Sequence, residues 1–283
     1  MNTSIPELAE KNGVGLRAEL ALRALKFGAA RHLVMDRTDG SVPGVLFGRG
    51  YEGRHGNFHQ LSFQAISSHP HWAQRLNKVH TAYKRSRARA DWAWKELDCA
   101  HSSDALLMNI FCHPEVMASA SVRGLLGFEP MAIPEFGYKP RTPLLGGKLD
   151  NSEVDMKLSH ILFEAKLTES NFQVARHGLV ARYRDFETVF EPADLPCFGE
   201  KLISYQLIRG VLAAQASGDS FCVLCDARRP DLHEAWYRII RAVRPSDLRC
   251  RLQLLTWQEL SAHVPADLRQ FLAEKYGIIP SHG

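Results

Sequence analysis

Asp155, Glu164 and Lys166 are the residues whose types and spacing best fit a chemical task, and they stand in one stretch, "EVDMKLSHILFEAKLTES", residues 153–170. Alternation along two short strands divides this stretch into faces. Val154, Met156 and Leu158 share one face and Glu153, Asp155 and Lys157 the other. In the second strand Ile161, Phe163, Ala165 and Leu167 lie opposite Leu162, Glu164, Lys166 and Thr168. With Ser159 and His160 as a two-residue turn, Leu158 faces Ile161, Met156 faces Phe163 and Val154 faces Ala165, giving one apolar face. Ser-His is not a favoured tight-turn pair, and a longer loop of the same parity would keep these faces while shifting the register. The two-residue register sets Asp155 across from Glu164, with Cβ atoms roughly 5 Å apart. Like charges so placed cost a few tenths to about 1 kcal/mol when exposed, and more when buried. A divalent cation reverses the sign, because Mg²⁺ is held by one or two carboxylates together with water and phosphate oxygens. The competing reading is a solvated charge ladder in which Glu153 pairs with Lys166.

Other elements must hold this hairpin in place. Prolines at 130 and 134 put a strand near Ile133 to Tyr138 on a sheet edge or confine it to a short piece. Downstream, "KLISYQLIRGVLAAQA" predicts a helix at about 201–216 closed by Ser217 and Gly218, and "SFCVLCDA" predicts a buried strand. A helix at about 231–243, the strand "RCRLQLLT" and a helix after the capping-box spacing of "TWQE" complete an α/β order. Upstream, residues 5–28 carry a helical pattern ending at Gly28, 36–57 read as loop with one short strand, and 69–98 read as a long basic helical stretch. "SSDALLMNIFC" predicts a short buried helix capped by Ser102 and stopped at Pro114.

The stretch "VDMKLSHILFEAKLTES" resembles the PD-(D/E)XK signature of the restriction-endonuclease-like nucleases, with Asp155 as first acid and Glu164-Ala165-Lys166 as the E-x-K element. The similarity extends to a bacterial branch of that superfamily through "HSSDALLMNIF" (101–111) and "SYQLIRGVLAA" (204–214), so that it spans about 100–260. Asp104 departs from the glutamine expected in that branch, and of the candidates for an extra upstream acid, Glu115, Glu129 and Glu135, the last is favoured by its place on the preceding strand. The resemblance implies an α/β restriction-endonuclease-like fold with a mixed central sheet flanked by helices. It also implies Mg²⁺ or Mn²⁺ held by Asp155, Glu164 and the Ala165 carbonyl, with Lys166 orienting or deprotonating water or stabilising the transition state. Gln206 on the core helix would line the site. The implied activity is metal-dependent hydrolysis of DNA phosphodiesters, with RNA as an open alternative substrate. A catalytically inactive nucleic-acid-binding protein of the same fold is the rival reading.

Bulk properties agree with such partners without demanding them. The 283 residues are 45% hydrophobic and 23% charged, with net charge +4 and a pI near 8.7. Length and pattern predict a mostly helical N-terminal region, 1–98, before a nuclease-like domain, 99–283. "KRSRAR" makes Lys84, Arg85, Arg87 and Arg89 candidates for phosphate contacts, with Trp72, Trp92 and Trp94 as base-stacking or core residues. The start has no signal pattern and no apolar run reaches membrane-span length, so a cytoplasmic protein without a membrane partner is expected. Six scattered cysteines argue against a disulfide framework, and Cys222 and Cys225 fit a buried strand better than zinc or redox chemistry. His69 and His71 lack a third metal ligand at usual spacing, Cys112-His113 has no supporting nucleophile context, and Gly48, Gly50 and Gly53 are weak as a phosphate loop.

Overall fold

A computed structural model describes residues 5–38, 44–50, 53–78 and 95–281. The chain divides into two compact units, Met1–Gly13 with Ala132–Thr256, and Val14–Met131 with Trp257–Gly283. These borders differ from the one expected at 98/99, because the segments 99–131 and 257–283 group with upstream residues.

The first unit is built on a five-stranded mixed sheet. Its strands are β1 (Glu135–Tyr138), β2 (Val154–Leu158), β3 (Ile161–Ala165), β4 (Ser220–Cys225) and β5 (Leu252–Thr256), in spatial order β5-β4-β3-β2-β1. β1 pairs antiparallel with β2 and β2 antiparallel with β3, whereas β3, β4 and β5 are mutually parallel. The Pro-flanked β1 is an edge strand as expected, since a residue without an N–H cannot complete a central ladder. Parallel neighbours need crossovers, and the helices Tyr205–Ser217 and Pro230–Ala242 supply them.

One apolar cluster joins these helices to the sheet: Leu207, Ile208, Val211 and Leu212 pack with Leu162, Phe221 and Val223, and with Leu232, Trp236 and Ile239. Gly210 lets the core helix lie close on β4, because a Cβ there would stand 2.2 Å from the Phe221 ring. Val154 also joins this cluster, although strict alternation assigns it to the face of Met156 and Leu158. The β1–β2 ladder skips the position between its Phe136↔Met156 and Tyr138↔Val154 pairs, where Gly137 takes φ +67, and the alternation breaks at the same place.

Several expectations are corrected in detail. The core helix begins at Tyr205 rather than near 201, because Lys201–Ile203 pairs as a strand with Val174–Arg176 and Cys197–Phe198. Ser204, in the left-handed region at φ 64, makes the turn between that strand and the helix. The first helix of the chain, Ile5–Ala30, passes through Gly28 instead of stopping there. That glycine is used for close packing, as its Cβ would overlap the Met35 side chain. Two short strands, Met35–Arg37 and Val45–Phe47, pair where one was expected. Of the helical stretch expected over 69–98, residues 79–94 lie outside the described residues; the described part has a six-residue helix, Pro70–Arg75, then Lys78 accepting from the N–H of Glu96 at 2.9 Å, and a 3₁₀ turn over Glu96–Asp98. Lys84, Arg85, Arg87 and Arg89, together with Trp92 and Trp94, lie outside the described residues. The predicted helix Ser103–Phe111 forms with Ser102 as its cap and all nine residues buried. No helix among the described residues is long and apolar enough to cross a membrane.

Candidate active site

The β2–β3 hairpin turns on Ser159 and His160, with Leu158 paired to Ile161 and Met156 to Phe163 as the alternation requires. Ser159 takes φ +53, the positive value such a tight turn demands. Beyond Met156↔Phe163 the regular pairing gives way, and the N–H of Ala165 donates to the Asp155 carboxylate at 2.7 Å. β3 is buried throughout because it lies between β2 and β4. Its end therefore carries Glu164 and Lys166 into the interior, at 1% and 5% exposure.

The opening electrostatic problem has an internal partial answer. Lys166 Nζ donates to Glu164 Oε1 at 2.5 Å, and Arg209 Nη2 stands 4.0 Å from Glu164 Oε2. Burial works to lower the Lys166 pKa, but Glu164, Asp155 and Glu169 outweigh it and raise the pKa above its ordinary 10.5. The Lys166 ammonium thus carries the influence of both hairpin carboxylates, Glu164 through a hydrogen bond and Asp155 electrostatically. Three carboxylates about one lysine still leave an excess of negative charge. Carboxylate oxygens are the ligand type that a divalent cation takes.

The neighbouring residues are held by identifiable contacts. Arg209 also donates to the Glu153 carbonyl at 2.7 Å and lies 5.9 Å from the Tyr205 ring centroid, one helical turn earlier. Asp150 accepts from Tyr183 at 2.6 Å, and the Tyr183 hydroxyl is 3.0 Å from that of Tyr205. Although burial opposes it, hydrogen bonds from Tyr183 and Ser152, helped by Arg209, lower the Asp150 pKa. Arg229, fully buried, donates to the Glu169 carbonyl at 2.8 Å and to both carboxylate oxygens of Asp231, at 3.0 and 2.8 Å. It thereby clamps the turn that follows Lys166.

Of the residues singled out in the sequence, Asp155, Glu164, Ala165 and Lys166 come together. Gln206 is half-buried at the start of the core helix, where its N–H donates to Phe172 at 2.9 Å. Glu135 is exposed and pairs in register with Lys157, two residues along β2 from Asp155. Asp104 lies in the other unit and accepts from Lys78 at 2.6 Å and Arg75 at 3.2 Å. Cys222 and Cys225 are buried on β4 and form no disulfide. Sequence reasoning missed Arg209, Glu169 and Asp150. Arg209 had a signal, its i+4 spacing from Tyr205 in "SYQLIRG", whereas Glu169 and Asp150 sit in turns whose course no periodicity reveals.

Residues 34–277 match the model of the REase-ARP family, described as Restriction Endonuclease associating with ARP. The mixed sheet flanked by helices is consistent with the restriction-endonuclease-like fold that this family implies. No curated protein and no solved structure matches the chain.

Proposed function

We propose that this chain, which belongs to the family Restriction Endonuclease associating with ARP, is a metal-dependent nuclease that hydrolyses phosphodiester bonds of DNA at the end of β3. The carrying observation is the buried Lys166–Glu164 contact at the end of β3, with half-buried Asp155 and Glu169 acting electrostatically on the same ammonium. Asp155, Glu164 and the Ala165 carbonyl are the groups that would hold Mg²⁺ or Mn²⁺. The bound ion would supply a Lewis acid for water and a counter-charge for the phosphate.

The chain's own groups divide the remaining work. Because its carboxylate neighbours keep Lys166 protonated, it serves as a fixed cation and donor toward a phosphate oxygen or the attacking water. A role as general base is disfavoured by the same charge. Arg209 restrains Glu164 from the helix side, and its second contact to Glu153 ties that restraint to the start of β2. Gln206 and Glu135 occupy outer positions and are assigned supporting roles in lining the site.

The test is incubation of plasmid, linear and single-stranded DNA with the wild-type chain, Glu164→Gln and Lys166→Ala, each with and without Mg²⁺ or Mn²⁺. Metal-dependent cleavage by the wild type and its loss in both variants is the expected result. Equal cleavage by all three would remove the assignment. A second reading, a nucleic-acid-binding protein without turnover, draws on the charge compensation of Glu164 by Lys166 and Arg209. Salt-sensitive DNA binding by the wild type with no cleavage in either metal would select it.

A further inference from the structure

His113, one half of the Cys112-His113 pair, is fully buried, yet neither of its ring nitrogens has a hydrogen-bond partner. Leaving such groups unsatisfied costs about 1–3 kcal/mol each, so their surroundings need an explanation. The nearest ionisable groups are His59 and Asp267, brought from distant parts of the sequence within the second unit. One ligand atom from each of the three lies within 4.8 Å of the others. Asp267 Oδ2 is 3.6 Å from His59 Nε2 and 3.8 Å from His113 Nε2, and the two imidazole centroids are 5.0 Å apart. His59 Nδ1 is likewise buried without a partner.

The backbone positions these rings for something other than capping. His59 and His113 both occupy the residue before a helix, Gln60–Ser68 and Pro114–Ala118, and neither side chain caps it. The His59 N–H donates to Asn109 Oδ1 at 2.7 Å, which fixes its backbone. The ring packs edge-on to Phe271 at 5.6 Å. Asp267 opens the helix Ala266–Tyr276, and its Oδ1 accepts from the Leu268 N–H at 2.8 Å. That bond leaves Oδ2 directed at the two imidazoles.

We propose that His59, His113 and Asp267 form a zinc site separate from the hairpin, with three protein ligands and a fourth position for water. Zinc takes imidazole nitrogen at about 2.0–2.1 Å in tetrahedral geometry, so ideal donors stand roughly 3.3 Å apart. The two histidine-to-aspartate spacings need only a few tenths of an ångström of closure, which side-chain rotation supplies. The metal would satisfy a His113 nitrogen that has no other partner. It would also tie the starts of three helices together, and Asp267, half exposed on its side of the cluster, leaves room for water. Burial lowers both imidazoles from 6.5 against the opposing pull of Asp267. Their lone pairs are therefore available at neutral pH, as metal ligation requires.

The experiment uses the full chain carrying Asp155→Asn, so that hairpin carboxylates contribute no strong zinc binding. The parent, His59→Asn and Asp267→Asn are loaded with Zn²⁺ at micromolar concentration, desalted and measured for bound metal and thermal midpoint. The parent should retain about one zinc per chain and melt at higher temperature with zinc than after chelation. Cobalt loading of the parent should give the visible bands of a tetrahedral ion. Asp267→Asn, a conservative change at an exposed position, should fold like the parent and bind zinc at least tenfold more weakly. Failure of the parent to retain zinc would overturn the proposal, as would equal retention and equal thermal shifts in all three proteins.

Discussion

Lys166 and Lys275 are buried to nearly the same degree, at 5% and 1% exposure, and their surroundings drive them in opposite directions. Lys166 stands among Glu164, Asp155 and Glu169, which together outweigh burial and raise its pKa. Lys275 lies against the rings of Phe47, Phe271 and Tyr276, with Nζ 2.9 Å from the Tyr276 hydroxyl and 2.8 Å from the Asn57 carbonyl. It has neutral oxygens and no carboxylate partner in those contacts, so burial pushes its pKa well below 10.5. Burial alone therefore does not mark a functional lysine. The sign of the shift separates a cation held ready beside acids from an amine absorbed into a core.

Removing Lys166 should have the largest consequences. Lys166→Met should lower metal-dependent cleavage by two to three orders of magnitude. It should also destabilise the fold by about 3–5 kcal/mol in urea unfolding, since Glu164 loses its close partner. The double variant Glu164→Gln/Lys166→Met should recover part of that stability without recovering cleavage. Lys275→Met should cost only about 1–2 kcal/mol, chiefly through the unsatisfied Asn57 oxygens, and a cost as great as that of Lys166→Met would break the contrast.

The two lysines should also differ with pH. Below 10.5 the unfolded chain holds a proton that the folded Lys275 gives up, so this residue makes stability rise with pH toward 10.5, by at most about 1.4 kcal/mol per unit. Lys275→Met should flatten that rise in unfolding measured from pH 8 to 10. Lys166 has the opposite sign: its contribution is complete below 10.5 and is lost as pH climbs through its raised folded value. Consequently Lys166 should add no slope over the same range, and cleavage should show no loss traceable to its deprotonation.

Two changes around the hairpin refine the picture further. Arg209→Gln, which releases one restraint on Glu164, should reduce cleavage by about tenfold with little change in DNA affinity. Glu135→Gln should lower it less than tenfold, because its strand position faces Lys157 rather than Asp155. An effect of Glu135 equal to that of Glu164 would place it among the metal-holding acids after all.

The hairpin was legible in the sequence because period-two alternation and a short turn are local signals, and they sufficed to bring Asp155, Glu164 and Lys166 together. The order of the main strands and helices from Tyr205 onward was readable from similarly local periodicity, whereas the strand Lys201–Ile203 was not. The loss of regular pairing at Asp155 and the glycine at 137 were not, since a break in alternation depends on neighbouring strands. Histidines 59 and 113 have no metal-ligand spacing to Asp267 along the sequence, because these three meet only after the chain has folded back. Lys275 likewise reads as the basic end of a helix, and only packing shows that it faces inward.

Arg229 carries a consequence for how a polymer would reach the hairpin acids. With its guanidinium engaged by backbone oxygens at residues 167, 169 and 170 and by Asp231, the strand exit beside Lys166 is pinned on the inside. Admitting a nucleic-acid strand by peeling that exit away would strip the buried Arg229 of its backbone acceptors and leave it only Asp231. Any hinge that serves entry must therefore belong to other parts of the chain, and Lys166, in the proposed reaction, would stay a fixed anvil against which the substrate is positioned.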